Sequence, residues 1–581
     1  VTTTGNVQIT ITDGAAGVVV VPSNQVQVVI GCATAGTVGS VVATRSLSTL
    51  SSTFTSGPLV EAAGLTIQAG GTVLTIRATT NAAGYVLGST QSVPAITGTD
   101  TSSPIKITTG SAHGLTSGDV VTIASVVGQT GANGTFVVVV VDATHFTLTG
   151  STSVGAWVSG GTITFTGTVF TGTGTSVPTI TGAALDDYYV KILIVAGGTR
   201  GTAGITFNLS LDAGRSYGPT IALGTATSYA LTGTGLTWNL AAGTLVAGDY
   251  ITAAGVAPAL NAAGVAAALV SLQASPYAVT GWGSIHVVGV LAGADESTIQ
   301  TTMDTLATGY VFTGCFTSAR DAKAPTSYGG IGETDAAWTA AILADFSAVS
   351  AKRMLAAAGY YNMPSAFSLA VAGTPRYRRP LAWAQAAREV TIQPQTHSGR
   401  VRDGALSQIV VDPVNDPTDG FVYHDERINP GLDYKTGGAG RFTSATTRIG
   451  LGSAGLGYYI VNPLMLSPLG SDFWMWPFRA VMDVACDVVH QIGQQFINSD
   501  LQTNQNGTLS DLSARTIKTA IEGAIQAQMI ALAMISGASV SVDQTQNILI
   551  TGTVVITVTI IARAYVLEED VTIGFANQLA A

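Results

Sequence analysis

The six histidines and three cysteines are the scarcest reactive side chains in this sequence, and their spacing decides which metal or nucleophilic chemistry is open to it. No histidine begins an H-E-x-x-H pair, and Cys32, Cys315 and Cys486 lie far apart with no C-x-x-C, so neither a zinc site nor a disulfide framework is indicated. All three thiols read as small buried hydrophobes. His424-Asp425-Glu426 is the densest polar trio, but adjacent side chains rarely converge on one ion, which favours a solvated loop. Asp412, Asp416 and Asp419 lack the alternating spacing of a calcium loop. Gly450-Leu-Gly452-Ser-Ala-Gly455 has the letters of a dinucleotide fingerprint, which needs a strand before it and a helix after it. Here Leu456 to Val461 follows, and it reads as a strand. No lysine follows a glycine, so a phosphate-binding P-loop is excluded. No catalytic residue, cofactor or metal ligand is assigned, and an enzyme is not expected.

The elements that would carry any site are set by composition. The chain has 581 residues, enough for about three or four domains. Only 10% of residues are charged, 46% are hydrophobic and 69 are glycine, which gives a bland surface suited to packing against other copies. A net charge of −10 disfavours nucleic acid as a partner, because phosphate binding needs clustered Lys and Arg. Mean hydropathy is +0.40, yet no run of 18 apolar residues exists, so stable membrane insertion is not expected. The first residues lack the charged start and apolar stretch of a signal peptide, and export by that route is not expected.

Hydrophobic periodicity predicts an α+β multidomain chain. Residues 1–30 alternate in strand fashion (Val7 to Thr12, then Val26 to Ile30) and read as an N-terminal arm with the first strands. Residues 31–94 and 166–254 read as one β-rich domain interrupted by a small β module at 95–165, with the Thr/Gly run 166–176 as its exit linker. From 255 to 412, strands alternate with helices: helix 261–274, strand 285–291, helix 297–308, strand 310–316, helix 333–357, strand 368–371, helix 381–388 and a closing strand at 408–411. That alternation implies an α/β layer with a largely parallel sheet. Residues 413–581 read as a C-terminal α/β domain with two long helices, about 472–498 and 512–535, the second capped by Ser513. Two strands finish the chain. The last, 553–566, alternates Thr with Val and Ile and meets Glu568-Glu569-Asp570, an acidic run suited to discouraging promiscuous edge pairing.

Ten of the 24 basic residues fall between 374 and 450, mixed with eight acids. This favours ion pairing between subunits over pairing within the chain, and both over nucleic acid. Phe473-Trp474-Met475-Trp476-Pro477-Phe478 is either an interaction anchor or a helix start buried in its own domain, the second being favoured.

The order of these segments resembles the sheath protein of contractile phage tails and related contractile injection systems. The likeness begins in Val28-Val-Ile-Gly-Cys-Ala-Thr-Ala-Gly36 and Phe54-Thr-Ser-Gly-Pro-Leu-Val-Glu61. It continues through Leu240 to Tyr250, Ala257-Pro258 and the helix after them, and ends in the C-terminal helices, hairpin and final strand. The module at 95–165 resembles one inserted in tailed-phage structural proteins. The resemblance implies a subtilisin-like but non-catalytic central domain; Gly174-Thr175-Ser176 echoes a subtilase serine segment without its Asp or His partners. It implies stacked hexameric rings around a tail tube, with tube, baseplate and tail terminator proteins as partners, in a virion tail assembled in the host cytoplasm. It further implies strand-exchanging arms, Val7, Ile9 and Ile11 at one end and Val554, Ile556, Val558, Ile560 and Tyr565 at the other. Arg427, Arg441, Arg448, Glu568, Glu569 and Asp570 are the expected intersubunit charges, and Arg515, Lys518 and Glu522 the expected tube contacts. The alternatives are a phage adhesin or fibre, which would explain the Thr/Gly/Val-rich β regions, and a hydrolase on the α/β domain.

Overall fold

The computed structural model of the chain describes residues 25–87, 94–113, 115, 120–165, 168–176, 178–279, 282–330, 332–367, 376–410, 442–447, 457–468 and 470–567. Val26–Gly31, with every residue after Val26 buried, cannot be an edge strand. It pairs in parallel with Thr72–Arg77 on one side and Ser284–Val290 on the other. Gly314–Ser318 and Met354–Ala357 extend the sheet in parallel, and Val41–Thr44 closes the opposite edge antiparallel.

A parallel sheet needs cover on both faces, and two helical layers supply it. Val28, Ile30, Leu74, Ile76, Ile285, Val287 and Cys315 face the helices Ala262–Gln273, Gly293–Thr308 and Asp335–Asp345. Val29, Val73 and Val288 face Leu47–Phe54, Pro58–Gln68 and Leu381–Glu389. The neighbouring strands Val26–Gly31 and Ser284–Val290 mark the point where strand order reverses, the usual place for a ligand crevice. That place is filled: the Cys32 thiol donates to the Pro258 carbonyl at 3.4 Å, and Leu260 lies against Gly289.

Several expectations are corrected here. Residues 26–77 join the α/β sheet rather than the strands of 168–256, because Val26–Gly31 and Thr72–Arg77 carry apolar side chains toward both faces and suit a two-sided core. Two helices, Leu47–Phe54 and Pro58–Gln68, stand in territory read as β; Ser46 accepts from the Thr49 amide and Pro58 opens the second helix. The helix expected over 333–357 ends at Asp345, and Met354–Ala357 is a buried strand. No strand forms at 408–410, and the segment 368–371 lies outside the described residues.

Between Arg77 and Ser284 the chain makes a long excursion. Thr168–Thr171, Tyr188–Ala196, Thr206–Ser210, Ile221–Ala222 and Tyr250–Val256 form an antiparallel sheet over a core centred on Phe207 and Trp238. The Thr/Gly run is bound rather than free: Thr173 and Gly174 amides donate to the buried Asp249 carboxylate at 2.9 and 3.2 Å. All six strands of a further sheet come from Ile96 to Phe165, around their own core of Ile105, Ile107, Val121, Val138 and Phe146.

Glu296, in the first turn of Gly293–Thr308, is fully buried, and burial pushes its pKa up to about 8 despite the nearby Thr317 hydroxyl. The folded protein therefore holds a proton there that the unfolded chain releases above its usual carboxylate range, so stability falls as pH rises through the window ending near 8. Glu296→Gln is expected to stabilise the protein, by more at pH 8 than at pH 5, as read by thermal denaturation at both values; an equal gain would contradict this assignment.

Candidate interaction surface

The final domain is built on Trp476–Gln494 and Asp511–Ile525. Pro477 sits in the first turn of one, where a missing N–H costs nothing, and Ser510, rather than Ser513, caps the other by accepting from the Ser513 amide. Val481, Ala485, Val488, Ile517, Ile521 and Ile525 form the shared core. The second helix stops short of 535. It widens into a π turn at Gln526–Ile530 that buries Met529, and Ala533 adopts φ 54°.

Gly537–Val542 and Ile556–Ile561 then pair as an antiparallel hairpin, Gly537 opposite Ile561 and Val542 opposite Ile556. Val554, Ile556, Val558 and Ile560 pack onto the helical core, while Val555, Thr557, Thr559 and Ile561 are exposed. This corrects the reading of 554–560 as a free arm: the side chains expected to reach a neighbour cover their own helices. What remains open is backbone, since neither outer edge of the hairpin pairs with another strand among the described residues. Tyr565 is also held locally, its hydroxyl donating to the Gln395 carbonyl at 2.7 Å and its ring 5.5 Å from that of Phe478.

The domain is locked to the α/β layer at one corner. Asp483 receives Arg353 at 3.0 Å and Arg479 from one turn earlier on its own helix, all three side chains being buried. Trp476 lies 4.1 Å from Phe316, ring centre to ring centre, over Gly314, where a Cβ would meet the indole at 2.5 Å. The aromatic group divides accordingly. Met475 and Trp476 are core, whereas Phe473, Trp474 and Phe478 join Met465, Met482 and Ile560 around an apolar cleft of about 680 Å³ beside the hairpin.

The cationic segment also resolves into internal pairs: Arg378 with Asp321 at 2.6 Å, Arg379 with Asp186 at 2.6 Å, and Arg400 with Asp403 at 2.6 Å. These correct the expectation of intersubunit pairing at those positions. Burial opposes the charge of Arg379, but Asp186 and Glu61 hold its pKa above the usual range; burial and then Asp186 push Asp187 up to about 6. Burial likewise lifts Asp487 to about 7 and Glu389 to about 8. Among the described residues no three His, Cys, Asp or Glu side chains come together as metal ligands, and no helix is long and apolar enough to cross a membrane.

Arg515, Lys518 and Glu522 lie on the exposed face of the second helix, Arg515 paired with Asp511 at 2.9 Å and Lys518 with Glu522 at 3.7 Å. Val7, Ile9, Ile11, Arg427, Arg441, Arg448, Glu568, Glu569 and Asp570 lie outside the described residues, as do His424 to Glu426. Cys32 and Cys315 are buried, but Cys486 is half-buried, a departure from the expectation for all three. Sequence pattern missed the cleft and the Arg353–Asp483 lock, since nothing in spacing links positions 353 and 483.

No family model and no curated protein matches the chain. Among solved structures it is similar to sheath proteins of contractile systems. The sheath tail protein of Desulfitobacterium hafniense is 9% identical, over 96% of this chain and 100% of that chain, with a TM-score of 0.38. The sheath tail protein of Listeria innocua is 10% identical, over 94% and 95%, with a TM-score of 0.37. The contracted helical sheath of the anti-feeding prophage is 13% identical, over 57% and 79%, with a TM-score of 0.32.

Asp483→Ala removes the carboxylate that two buried guanidinium groups share, leaving Arg353 with Asp304 at 3.6 Å and the Thr313 carbonyl at 3.0 Å, and Arg479 with no carboxylate. It is expected to cost about 3–5 kcal/mol in chemical denaturation, whereas Asp511→Ala, at an exposed pair, is expected to cost under about 1 kcal/mol.

Proposed function

We propose that the chain is the structural subunit of a contractile tail sheath, polymerising as stacked hexameric rings around a tail tube and driving that tube through a host envelope on contraction. The observation that carries this reading is the hairpin Gly537–Val542 and Ile556–Ile561. Its inner face is fixed on two helices and its two outer backbone edges are open among the described residues, so it is built to receive strands from other subunits. The alternating segment Val7 to Thr12 and the residues after Leu567 would supply those strands. Backbone hydrogen bonds would then keep subunits connected while whole subunits rotate as rigid bodies from a metastable extended lattice to a contracted one. No nucleotide is needed in this scheme, since the energy is stored during assembly.

The tube would lie against the exposed face carrying Arg515, Lys518 and Glu522, and the baseplate and tail terminator would bound the polymer in the virion tail. The module at 96–165, with its own core, is best accommodated on the outside of such a cylinder. Its role in the lattice is as an appended unit.

Electron microscopy of the purified protein with its tube protein is expected to show hollow striated cylinders; discrete trimers or uncoated tubes would overturn the proposal. Removal of residues 568–581 leaves the hairpin whole, unlike a cut at 554, which would uncover Val540 and Ile517. That shorter variant is expected to remain folded by circular dichroism yet form no cylinders, and normal cylinders from it would refute the role of the C-terminal strand.

A further inference from the structure

The joint between the C-terminal helices and the α/β layer encloses a small cleft of about 40 Å³. One side of it is the helix Trp476–Gln494, which brings Trp476, Asp483 and Asp487 to the cleft. The other side includes Ser284, Phe312 and Glu389, the last residue of the helix Leu381–Glu389. Three carboxylates thus share a space with room for a few water molecules at most, at about 10–15 Å³ each. The cations beside it are already committed. Arg353 and Arg479 both donate to Asp483, Arg353 also lying 3.6 Å from Asp304, and Arg388 lies 3.8 Å from Asp403. Neither Glu389 nor Asp487 has an ion pair among the described residues. Glu389 is only 7% exposed, and its Oε1 has no hydrogen-bond partner.

The remaining titratable groups near these two carboxylates are the Tyr565 phenol beside Glu389, the Cys486 thiol beside Asp487, and His490, whose ring stacks on that of Tyr310 at 4.1 Å. None of them is bonded to either carboxylate. A carboxylate with neither a cation nor water enough to solvate it keeps its proton. Burial accordingly holds Glu389 up at about 8 despite the Ser398 hydroxyl and Arg388, and burial followed by Asp483 holds Asp487 at about 7. With the helix lifted away, both groups would return to the ordinary carboxylate range, near about 4. The seated joint therefore carries protons that the open joint releases, and seating weakens as pH rises from about 4 to about 8.

We propose that the C-terminal helices sit against the α/β layer through a proton-dependent joint: Trp476–Gln494 is seated while Glu389 and Asp487 are neutral, and loosens when they ionise against Asp483. The Arg353–Asp483 pair remains as the tether, so the joint loosens without releasing the domain. This inference stands on the cleft and the charges around it, and holds whether or not the chain forms a sheath.

Amide hydrogen exchange of the full chain, corrected for the intrinsic effect of pH on exchange, reads the joint directly. Protection of 476–494 is expected to fall by about tenfold or more between about pH 6 and about pH 9, while that of Val26–Gly31 stays nearly level. The double variant Glu389→Gln, Asp487→Asn is expected to keep its protection of 476–494 across the same range. An equal fall in the double variant would overturn the proposal. So would a parallel fall in Val26–Gly31, which would assign the effect to unfolding of the whole chain, where Glu296 also acts. Asp487→Asn alone, at a half-buried position, carries the same test if the double variant does not fold: a smaller fall than in the wild type is expected, and an unchanged one would overturn the proposal.

Discussion

Complete burial of the strand Val26–Gly31 is the constraint on which the rest of the chain depends. A strand with apolar side chains on both faces and parallel partners on both edges demands two helical layers and long crossover connections. One crossover, from Arg77 to Ser284, is where the excursion through the antiparallel sheet and its inserted module is accommodated without disturbing the order of the strands. Filling of the strand-reversal crevice by Pro258 and Leu260 follows from the same closure, and it leaves a scaffold in the place where a related architecture could hold a ligand.

With so few charged residues, several buried ion pairs stand at joints. Arg379 and Asp186 tie the antiparallel unit to the α/β layer, Arg378 and Asp321 reinforce the same seam, and Arg353 with Asp483 holds the C-terminal helices. A buried ion pair adds little net stability over an apolar contact, but it is costly to break one side at a time. Pairs of this kind therefore fix how units sit together more than how tightly each is folded. The seam at Arg379 carries more carboxylate than guanidinium, with Glu61 and Asp187 raised by burial, so its strength depends on protonation as well as geometry.

Local signals were readable where one interaction dominates. Asn261 caps its helix by accepting from Gly264, and Trp476–Gln494 shows its inward stripe plainly in sequence. The parallel strand Ser284–Val290 stood out because a short, mostly apolar run between helices suits a strand covered on both faces, whereas Met354–Ala357 escaped because its letters also read as helix. What escaped was partnership across the chain. Residues 26–77 carry the same apolar letters whether they join strands near 190 or strands near 290, and period two in 554–560 describes a strand without naming the surface beneath it. The helices within 47–68 were hidden by Ser, Thr and Gly, whose helical use here rests on the cap at Ser46 and the start at Pro58.

The C-terminal hairpin shows why that ambiguity matters for function. Its alternate residues have already been committed inward, to Ile517, Ile521 and their neighbours, so side-chain complementarity is largely spent within the subunit. In the proposed strand addition, recognition would fall to main-chain donors and acceptors, which are indifferent to side-chain identity and tolerate a sequence built from Thr, Val and Ile. Backbone pairing of this kind would resist shear along the strand. A surface with little charge and rigid internal joints suits that arrangement. In the proposed assembly, force would pass through backbone bonds between bodies whose own interiors are fixed by buried pairs such as Arg353 and Asp483.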